Sequence, residues 1–126
     1  MNDRRHRVLV VDDDLVIRQL IGINLELEGF EVHMAADGEE ALQQAVDVLP
    51  DVVVLDVMMP RLDGLQVARR LRADARTQAM RLVLVSARAQ AADLQRGEDM
   101  GVDAYITKPF EPDELVSVVR RLAEAT

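Results

Sequence analysis

Residues 51–60 read Asp51-Val52-Val53-Val54-Leu55-Asp56-Val57-Met58-Met59-Pro60. The apolar run from Val52 to Leu55 is too short to span a membrane and lacks helical periodicity, but it suits a central parallel strand that is covered on both faces. Asp56 follows that run, and Pro60 ends the strand-like pattern. In parallel sheets, ligands bind beyond the carboxyl ends of the strands. We therefore predict a buried strand that delivers the Asp56 carboxylate to a functional edge of a sheet.

The length and composition of the chain restrict its class. With 126 residues, it has room for one domain, predicted over residues 1–126, and it can bury a core without disulfides or a structural metal. The longest apolar stretches have the length of strands, and the basic residues 4–7 lead directly into a strand without the apolar region of a signal peptide. We therefore expect a globular, cytoplasmic protein without a membrane segment.

The absence of cysteine and the acidic charge narrow the chemistry further. A chain without cysteine has no disulfides, no thiolate catalysis and no soft-metal site, so oxygen ligands and hard cations are the chemistry that remains. A formal net charge of −8 would repel a nucleic-acid backbone. We therefore expect no direct nucleic-acid binding by this domain.

Three consecutive aspartates follow the first predicted strand. Asp12, Asp13 and Asp14 stand where a nucleotide-binding fold would have glycines. Glycine loops offer backbone N–H groups to phosphate, whereas neighbouring carboxylates repel phosphate unless a divalent cation lies between them. Acidic residues also favour the N-terminus of a helix, which accounts for part of the role of Asp14. We assign Asp12 and Asp13 to a cation site.

Strand and helix patterns alternate along the whole chain. The predicted strands are Arg7–Val11, Glu31–Ala35, Val52–Leu55 with Asp56 at its end, Arg81–Ser86 and Asp103–Thr107. The predicted helices are Leu15–Glu28, a short helix capped by Asp37, Leu65–Ala73, one near residues 89–100, and Pro112–Glu124. This alternation predicts a doubly wound α/β domain with a five-stranded parallel sheet, five helices and right-handed connections.

The first predicted helix carries two apolar stripes. The stripe expected to pack on the sheet consists of Ile17, Leu20, Ile21 and Leu25. A second stripe lies on one flank and consists of Val16, Ile23 and Leu27. This flank either leaves apolar surface for a partner or widens the face that packs on the sheet.

Polar side chains stand at the ends of four of the apolar strands. They are Asp12 and Asp13 after the first, Asp56 at the third, Ser86 at the fourth and Lys108 after the fifth. These strand ends should converge on one edge of the sheet, where crowded carboxylates suit Mg²⁺. Asp56 could then attack phosphorus and form an acyl phosphate. Mg²⁺, Lys108 and the Ser86 hydroxyl would stabilise negative charge on the transferring group.

Four stretches of the chain carry a resemblance to a known family. They are Leu9-Val10-Val11-Asp12-Asp13, Val54-Leu55-Asp56-Val57-Met58-Met59-Pro60 with Asp63-Gly64, Val85-Ser86-Ala87, and Tyr105-Ile106-Thr107-Lys108-Pro109-Phe110. In this order and spacing they resemble the receiver (CheY-like) domains of bacterial two-component response regulators, over nearly the whole chain. The resemblance implies a flavodoxin-like sheet with strand order 2-1-3-4-5 and a cis peptide bond between Lys108 and Pro109.

The resemblance also implies the chemistry of the acidic cluster. Asp56 would accept a phosphoryl group from a phosphohistidine on a partner histidine kinase or histidine phosphotransfer protein. Asp13, Asp56 and the backbone carbonyl of Met58 would bind Mg²⁺ directly, and Asp12 would act mainly through water. Such a domain is a phosphoacceptor switch rather than an enzyme, with at most slow self-phosphorylation and self-dephosphorylation.

Other residues would transmit the signal or dock the partner. Lys108 and the Ser86 hydroxyl would bind the phosphoryl group, and the Tyr105 ring would turn inward behind Ser86 as the second half of a switch pair. Val16 and Ile23 would help dock the kinase or phosphotransfer protein beside the first helix. The resemblance further allows a phosphorylation-dependent homodimer.

Two other classes of protein fit the pattern less well. Phosphatases of the haloacid dehalogenase type resemble one another in a second aspartate two residues after the nucleophile, and Met58 occupies that position here. A flavin or nucleotide binder of the same topology would need a phosphate-cradling loop in place of the three aspartates. The sequence leaves two alternatives for the output, a stand-alone receiver and a part of a longer regulator. Ala104 and Val118 stand where family members with winged-helix DNA-binding domains often have a second acid and a pairing arginine, which weakens the prediction of that dimer mode.

Overall fold

The computed structural model describes residues 5–87, Gln95, Asp99 and 101–125. Its strands are β1 (Arg7–Val11), β2 (Glu31–Ala35), β3 (Val52–Asp56), β4 (Arg81–Ser86) and β5 (Ala104–Thr107). The helices with described bounds are α1 (Leu15–Leu27), α2 (Gly38–Val48), α3 (Gly64–Ala73) and α4 (Pro112–Glu124). The helix predicted near residues 89–100 lies outside the described residues, apart from Gln95 and Asp99, which are helical.

The five strands form one parallel sheet in the order β2-β1-β3-β4-β5, which confirms the predicted fold. The register brings the carboxyl ends of the central strands together, because Val11 pairs with Leu55 and Asp56 pairs with Val85. Asp12, the residue after Val11, therefore lies beside the end of β3. The strand order thus gathers the polar strand ends that the sequence distributes over the chain.

Helices cover both faces of the sheet. Alternate residues of β3 point to opposite faces, so Val53 and Leu55 join the cluster under α2 and α3, while Val52 and Val54 join the cluster under α1 and α4. All five residues of β3 are buried. The uninterrupted apolar run is therefore the consequence of a strand without a solvent-facing side. In the described part of the chain, no helix has the length and apolarity that a membrane crossing requires.

Helix α1 separates its two apolar stripes. Ile21 and Leu25 are buried against the sheet, but Leu20 is 46% exposed, so its assignment to the packing stripe was wrong. Leu20 instead lines a cavity of about 350 Å³. Ile17, Pro109 and Phe110 also line this cavity. The other stripe, which consists of Val16, Ile23 and Leu27, stays on the surface.

The connection from β3 to α3 is unusually tight. Gly64 begins α3 and is buried, and its N–H donates to the Val57 carbonyl at 3.1 Å. A Cβ atom at Gly64 would overlap the carbonyl oxygen of Asp56 and lie 2.9 Å from the Val57 Cα. Only glycine lets α3 start this close to the strand end, so the position of Asp56 depends on it.

We predict that Gly64→Ala lowers the free energy of unfolding by about 1–3 kcal/mol, because the new methyl group must displace backbone rather than a flexible side chain. Urea unfolding measures this loss. Gly29→Ala is the control, since Gly29 has a φ of 92° but no atom within 4 Å of an added Cβ. Gly29→Ala should leave the distance between α3 and β3 unchanged. Its free energy of unfolding should fall by about 1 kcal/mol, because only backbone strain is added. An unchanged unfolding midpoint for Gly64→Ala would contradict the close contact.

Candidate functional site

Three carboxylates meet at the carboxyl ends of β1 and β3. Asp12, Asp13 and Asp56 each offer a carboxylate oxygen, and these oxygens lie within 4.8 Å of one another. Asp12 and Asp56 are only 1% and 4% exposed, whereas Asp13 faces solvent. The tertiary structure therefore brings together the acids that the sequence analysis assigned to a cation site.

Lys108 supplies the positive charge of the cluster. Its Nζ lies 3.2 Å from Asp12 Oδ2 and 3.5 Å from Asp56 Oδ1, although 96 residues separate it from Asp12 in sequence. The Lys108 N–H donates to the Ser86 carbonyl at 2.8 Å, which holds this segment against the end of β4. The peptide bond between Lys108 and Pro109 is cis, as expected. One ammonium group thus bridges the two buried carboxylates.

Backbone groups and one arginine orient the acids. The Asp14 N–H donates to Asp12 Oδ1 at 2.9 Å, and the Met58 N–H donates to Asp56 Oδ1 at 3.3 Å. Arg18 donates from its guanidinium to the Asp12 backbone carbonyl at 2.7 Å. Arg18 was not among the predicted site residues. Its place as the fourth residue of the helix that follows three aspartates could have indicated a contact with the acidic cluster.

Burial changes the acid–base behaviour of the site. Burial, reinforced by the charge of Asp12, raises the pKa of the Asp56 carboxyl to about 6, although the Lys108 ammonium and the Met58 N–H favour its charged form. Burial by itself would lower the pKa of Lys108, but the charges of Asp56 and Asp12 outweigh it and raise that pKa. Lys108 therefore stays charged at neutral pH, and Asp56 is an unusually basic carboxylate for its type.

The donor set fits a hard divalent cation. All three side chains offer carboxylate oxygens, and the described residues supply no thiolate or imidazole to the cluster. Three carboxylates against one ammonium leave an excess of negative charge at neutral pH. Met58, whose carbonyl was the expected further ligand, follows Asp56 by two residues and has a side chain that is 51% exposed. The arrangement therefore has the composition and charge of a magnesium site.

The predicted switch residues lie on β4, which pairs with β3, and on β5, the strand next to β4 at the edge of the sheet. Ser86 ends β4 and is completely buried, one residue after the Val85 that pairs with Asp56. Tyr105 pairs with Leu84 across β4 and β5, and its half-buried side chain packs against the core cluster under α2 and α3. Both residues are thus at the carboxyl-terminal half of the sheet, on the same side as the acids.

The predicted docking residues are on the surface. Val16 is 73% and Ile23 is 57% exposed, and Leu27 continues the stripe at 79%. The neighbouring cavity beside Leu20 is lined by Lys108 as well as by apolar side chains. Apolar surface on α1 therefore extends to the edge of the carboxylate cluster, so the alternative in which the second stripe packs on the sheet is wrong.

Comparison with known proteins identifies the family. A family model described as "Response regulator receiver domain" matches residues 8–120. The chain is 42% identical over 120 residues to the DNA-binding dual master transcriptional regulator RpaA of Synechocystis, covering 95% of this chain and 50% of that protein. It is 41% identical over 120 residues to the DNA-binding response regulator MtrA of Mycobacterium tuberculosis, covering 95% of this chain and 51% of that protein. The chain therefore belongs to the response regulator receiver domain family.

Solved structures agree with this assignment. The chemotaxis protein CheY4 of Vibrio cholerae superposes with a TM-score of 0.90 at 31% identity, over 94% of this chain and 99% of that one. The receiver domain of the Francisella response regulator 1452 superposes with a TM-score of 0.88 at 36% identity, over 96% and 98% of the two chains. The chain spans about half the length of the curated relatives named above. It is a signalling domain of two-component systems with the fold of CheY.

We predict that Asp56→Asn stabilises the metal-free chain at neutral pH. The folded-state pKa of about 6 exceeds the ordinary value of 3.8, so folding opposes ionisation of Asp56. Below pH 4 the carboxyl is neutral in both states, and between pH 4 and 6 the wild type loses stability relative to the variant as pH rises. The full difference above pH 6 is on the order of 3 kcal/mol. Chemical unfolding of both proteins at pH 4 and pH 7.5 in metal-free buffer measures it.

Added Mg²⁺ should reduce the difference in stability between the two proteins. A cation that binds only the native cluster stabilises the wild type by about 2.7 kcal/mol at a hundredfold excess over its dissociation constant, and Asp56→Asn gains less because a ligand is gone. Asp47→Asn, on the exposed side of α2, is the control and should follow the wild type throughout. An Asp56→Asn variant that unfolds more easily than wild type at pH 7.5 without metal would contradict the repulsion at the site.

Proposed function

We propose that this chain takes a phosphoryl group onto Asp56 in a Mg²⁺-dependent reaction with a histidine kinase or histidine phosphotransfer protein. The observation that carries this proposal is the buried Asp56 carboxylate, which lies beside two further carboxylates and 3.5 Å from the Lys108 ammonium. A buried carboxylate with a raised pKa is a better nucleophile than an ordinary one, and it needs cationic surroundings to meet a phosphoryl group. The match of the receiver-domain family model to residues 8–120 also supports this proposal.

The transfer itself exchanges one bond for another at phosphorus. An Asp56 carboxylate oxygen forms the new P–O bond while the P–N bond of the phosphohistidine breaks, and the imidazole nitrogen keeps the electron pair of that bond. The product is an acyl phosphate. Bound Mg²⁺ would neutralise negative charge on the phosphoryl oxygens, as divalent cations do in phosphoryl transfer generally. Asp12, Asp13, Asp56 and the Met58 carbonyl are the groups that would hold it.

Lys108 and Ser86 act on the product in this proposal. The Lys108 ammonium bonds Asp12 and Asp56 within the cluster, and a phosphoryl group on Asp56 offers it a stronger anionic partner. Ser86 would donate its hydroxyl to the same group, and Tyr105 would follow into the space beside Ser86. Because Ser86 is buried and Tyr105 is half-buried, the exchange would repack the end of the sheet and so transmit phosphorylation to the surface.

The chain acts as a switch rather than as an enzyme in this proposal. Hydrolysis of phosphate esters in general would need an acid to protonate the leaving group, and Met58 stands two residues after Asp56, where it can offer none. Small phosphodonors with good leaving groups would still label Asp56 slowly, and water would remove the label slowly.

The exposed stripe on α1 is the partner-docking surface that we propose. Val16 and Ile23 are exposed apolar side chains on the helix that follows the acidic loop. Ile17 and Leu20 of the same helix line a cavity that reaches Lys108. A phosphohistidine must approach Asp56 closely, so a partner helix that packs on α1 would bring it there. Surface apolar patches of this kind mark protein interaction sites.

The net charge and the ion pairs of Asp103 bear on nucleic-acid binding and on the oligomeric state. We propose that residues 1–126 form one receiver domain that works in the cytoplasm and itself makes no contact with nucleic acid, in keeping with its charge of −8. Asp103 bonds within the chain to Arg72 at 3.1 Å and Arg81 at 3.4 Å. One homodimer of the family is built on paired acids at the start of β5 and an arginine on α4. Ala104 and Val118 stand where the second acid and that arginine would be, and Asp103 is already paired within the chain, so these residues argue against that homodimer. A phosphorylation-dependent homodimer would need another contact.

We predict that Asp56→Ala reduces acid-labile labelling by a radioactive small phosphodonor, such as acetyl phosphate, to background. The reason is that the only proposed acceptor oxygen is gone. Labelling of the wild type should also vanish in metal-free buffer, since the cluster then lacks its cation. Asp47→Ala, which removes an exposed carboxylate from α2, is the control and should label like wild type. Normal labelling of Asp56→Ala would disprove the assignment.

We predict that the double variant Val16→Asp, Ile23→Asp slows phosphoryl transfer from a phosphorylated kinase or phosphotransfer protein by roughly tenfold or more, because charge replaces apolar contact surface. Labelling by acetyl phosphate should stay at the wild-type rate, since neither side chain belongs to the acidic cluster. Leu49→Asp is the control, because Leu49 is also exposed, at 49%, but ends α2. Equal loss of both labelling reactions would assign Val16 and Ile23 to folding instead.

A further inference from the structure

The loop between β3 and α3, residues 57–63, carries the Met58 carbonyl but has few backbone ties to its neighbours. At its start, the Val57 N–H donates to the Val85 carbonyl at 2.9 Å. At its end, the Gly64 N–H donates back to Val57. The Met58 N–H donates to Asp56 Oδ1, and the Asp63 carbonyl accepts from Val67 in α3. The N–H groups of Met59 and Leu62 donate only to carbonyls inside the loop. Hydrogen bonds thus tie the two ends of the loop to the rest of the chain, and side-chain packing holds its middle.

Val57 and Met59 are buried in the core cluster under α2 and α3, and Leu62 adds a contact with Gly38. Gly38 is buried at the start of α2, and a Cβ atom placed on it would lie 2.7 Å from the Leu62 carbonyl oxygen and 2.8 Å from the Leu62 Cβ. Non-bonded carbon atoms normally stay about 3.5–4.0 Å apart. Leu62 also packs against the core cluster under α2 and α3. Glycine at position 38 thus lets the loop backbone come closer to α2 than any other residue would allow.

The start of α2 is in turn tied to the acidic cluster. The Asp12 N–H donates at 3.3 Å to the carbonyl of Ala35, the last residue of β2. Asp37 follows and caps α2 by accepting from the Glu40 N–H at 2.8 Å. The contact between Gly38 and Leu62 therefore joins the backbone that carries Asp12 to the loop that carries Met58.

The neighbouring ion pair is too weak to do this. Arg61 lies 3.7 Å from Asp37, but its side chain is 75% exposed, and such pairs contribute little in water. Arg61 also has a φ of 65°, a backbone conformation that residues other than glycine rarely adopt. The backbone preference of Arg61 therefore does not hold the loop in this conformation. Close packing of the next residue, Leu62, against Gly38 opposes that strain.

We propose that Gly38 and Leu62 are positioning residues that set the distance between the Met58 carbonyl and the carboxylates of Asp12, Asp13 and Asp56. Neither residue touches the reacting atoms. Their contact makes the site selective for Mg²⁺ over larger cations, because it fixes the loop at one separation from the acids. This inference rests on the proposed function, in which the Met58 carbonyl is a ligand.

Cation size provides the means to test it. Mg²⁺ binds oxygen at about 2.0–2.1 Å and demands nearly ideal octahedral geometry, whereas Ca²⁺ accepts about 2.3–2.6 Å and flexible coordination. In Gly38→Ala the loop must move away from α2 by several tenths of an ångström. The dissociation constant for Mg²⁺ should therefore rise roughly tenfold or more, as it does when supporting residues of metal sites are changed. The dissociation constant for Ca²⁺ should rise less, so the ratio of the Mg²⁺ constant to the Ca²⁺ constant should increase.

The experiment is calorimetric titration of the chain with Mg²⁺ and, separately, with Ca²⁺. Gly22→Ala is the matched control, because Gly22 is also a buried helical glycine but its added Cβ would meet the flexible end of the Met34 side chain. It should keep the wild-type ratio of constants. Leu62→Ala is a second probe, since it removes the packing from the loop side and does not depend on Gly38→Ala being folded. Urea unfolding of each variant separates loss of stability from loss of selectivity.

The outcomes distinguish this inference from the proposed function. If the wild type binds neither cation, the metal site fails and the inference fails with it. If the wild type binds Mg²⁺ and both Gly38→Ala and Leu62→Ala keep its ratio of constants, the metal site stands and the positioning role is overturned. A changed ratio in both variants, with an unchanged ratio in Gly22→Ala, supports the positioning role.

Discussion

The structure depends on placing a carboxylate at the end of a strand that is covered on both faces. Asp56 is 4% exposed, and two further carboxylates offer oxygens within 4.8 Å of its own. Two unit charges at such a distance repel by about 3–4 kcal/mol at an effective dielectric constant of 20. Burial raises the pKa of Asp56, and the part of this repulsion that Lys108 does not offset raises it further. A divalent cation bound among the carboxylates would relieve this repulsion.

The stability for this arrangement comes from elsewhere in the fold. The strands bury two separate apolar clusters, one under α2 and α3 and the other under α1 and α4, and none of the acids contributes to either. The sheet can thus tolerate a strained edge, which is the usual division between a stabilising core and a functional site. Close approaches at Gly64 and Gly38 bring that edge together, since both glycines stand where backbone atoms leave no room for a side chain.

Helix α1 serves the core and the surface at once. Ile21 and Leu25 are buried against the sheet, while Val16 and Ile23 remain exposed on the flank near the carboxylates. A receiver domain must be recognised by a partner before it reacts, so an apolar surface next to the reactive strand end is consistent with its membership of the family. The same chain spans only about half of its DNA-binding relatives RpaA and MtrA, and nothing in α1 distinguishes one output from another.

The sequence by itself determined the order of the elements, the parallel sheet and the acids at the strand ends, because hydrophobic periodicity and polar strand termini are local patterns. Strands β1, β2 and β4 have the predicted bounds, and β3 includes Asp56 as its last residue. The tertiary structure alone decided the exposure of Leu20, the contact of Arg18 with the Asp12 carbonyl and the fit of Gly38 against Leu62. These are properties of surfaces that meet only when distant segments pack, so no local pattern encodes their distances.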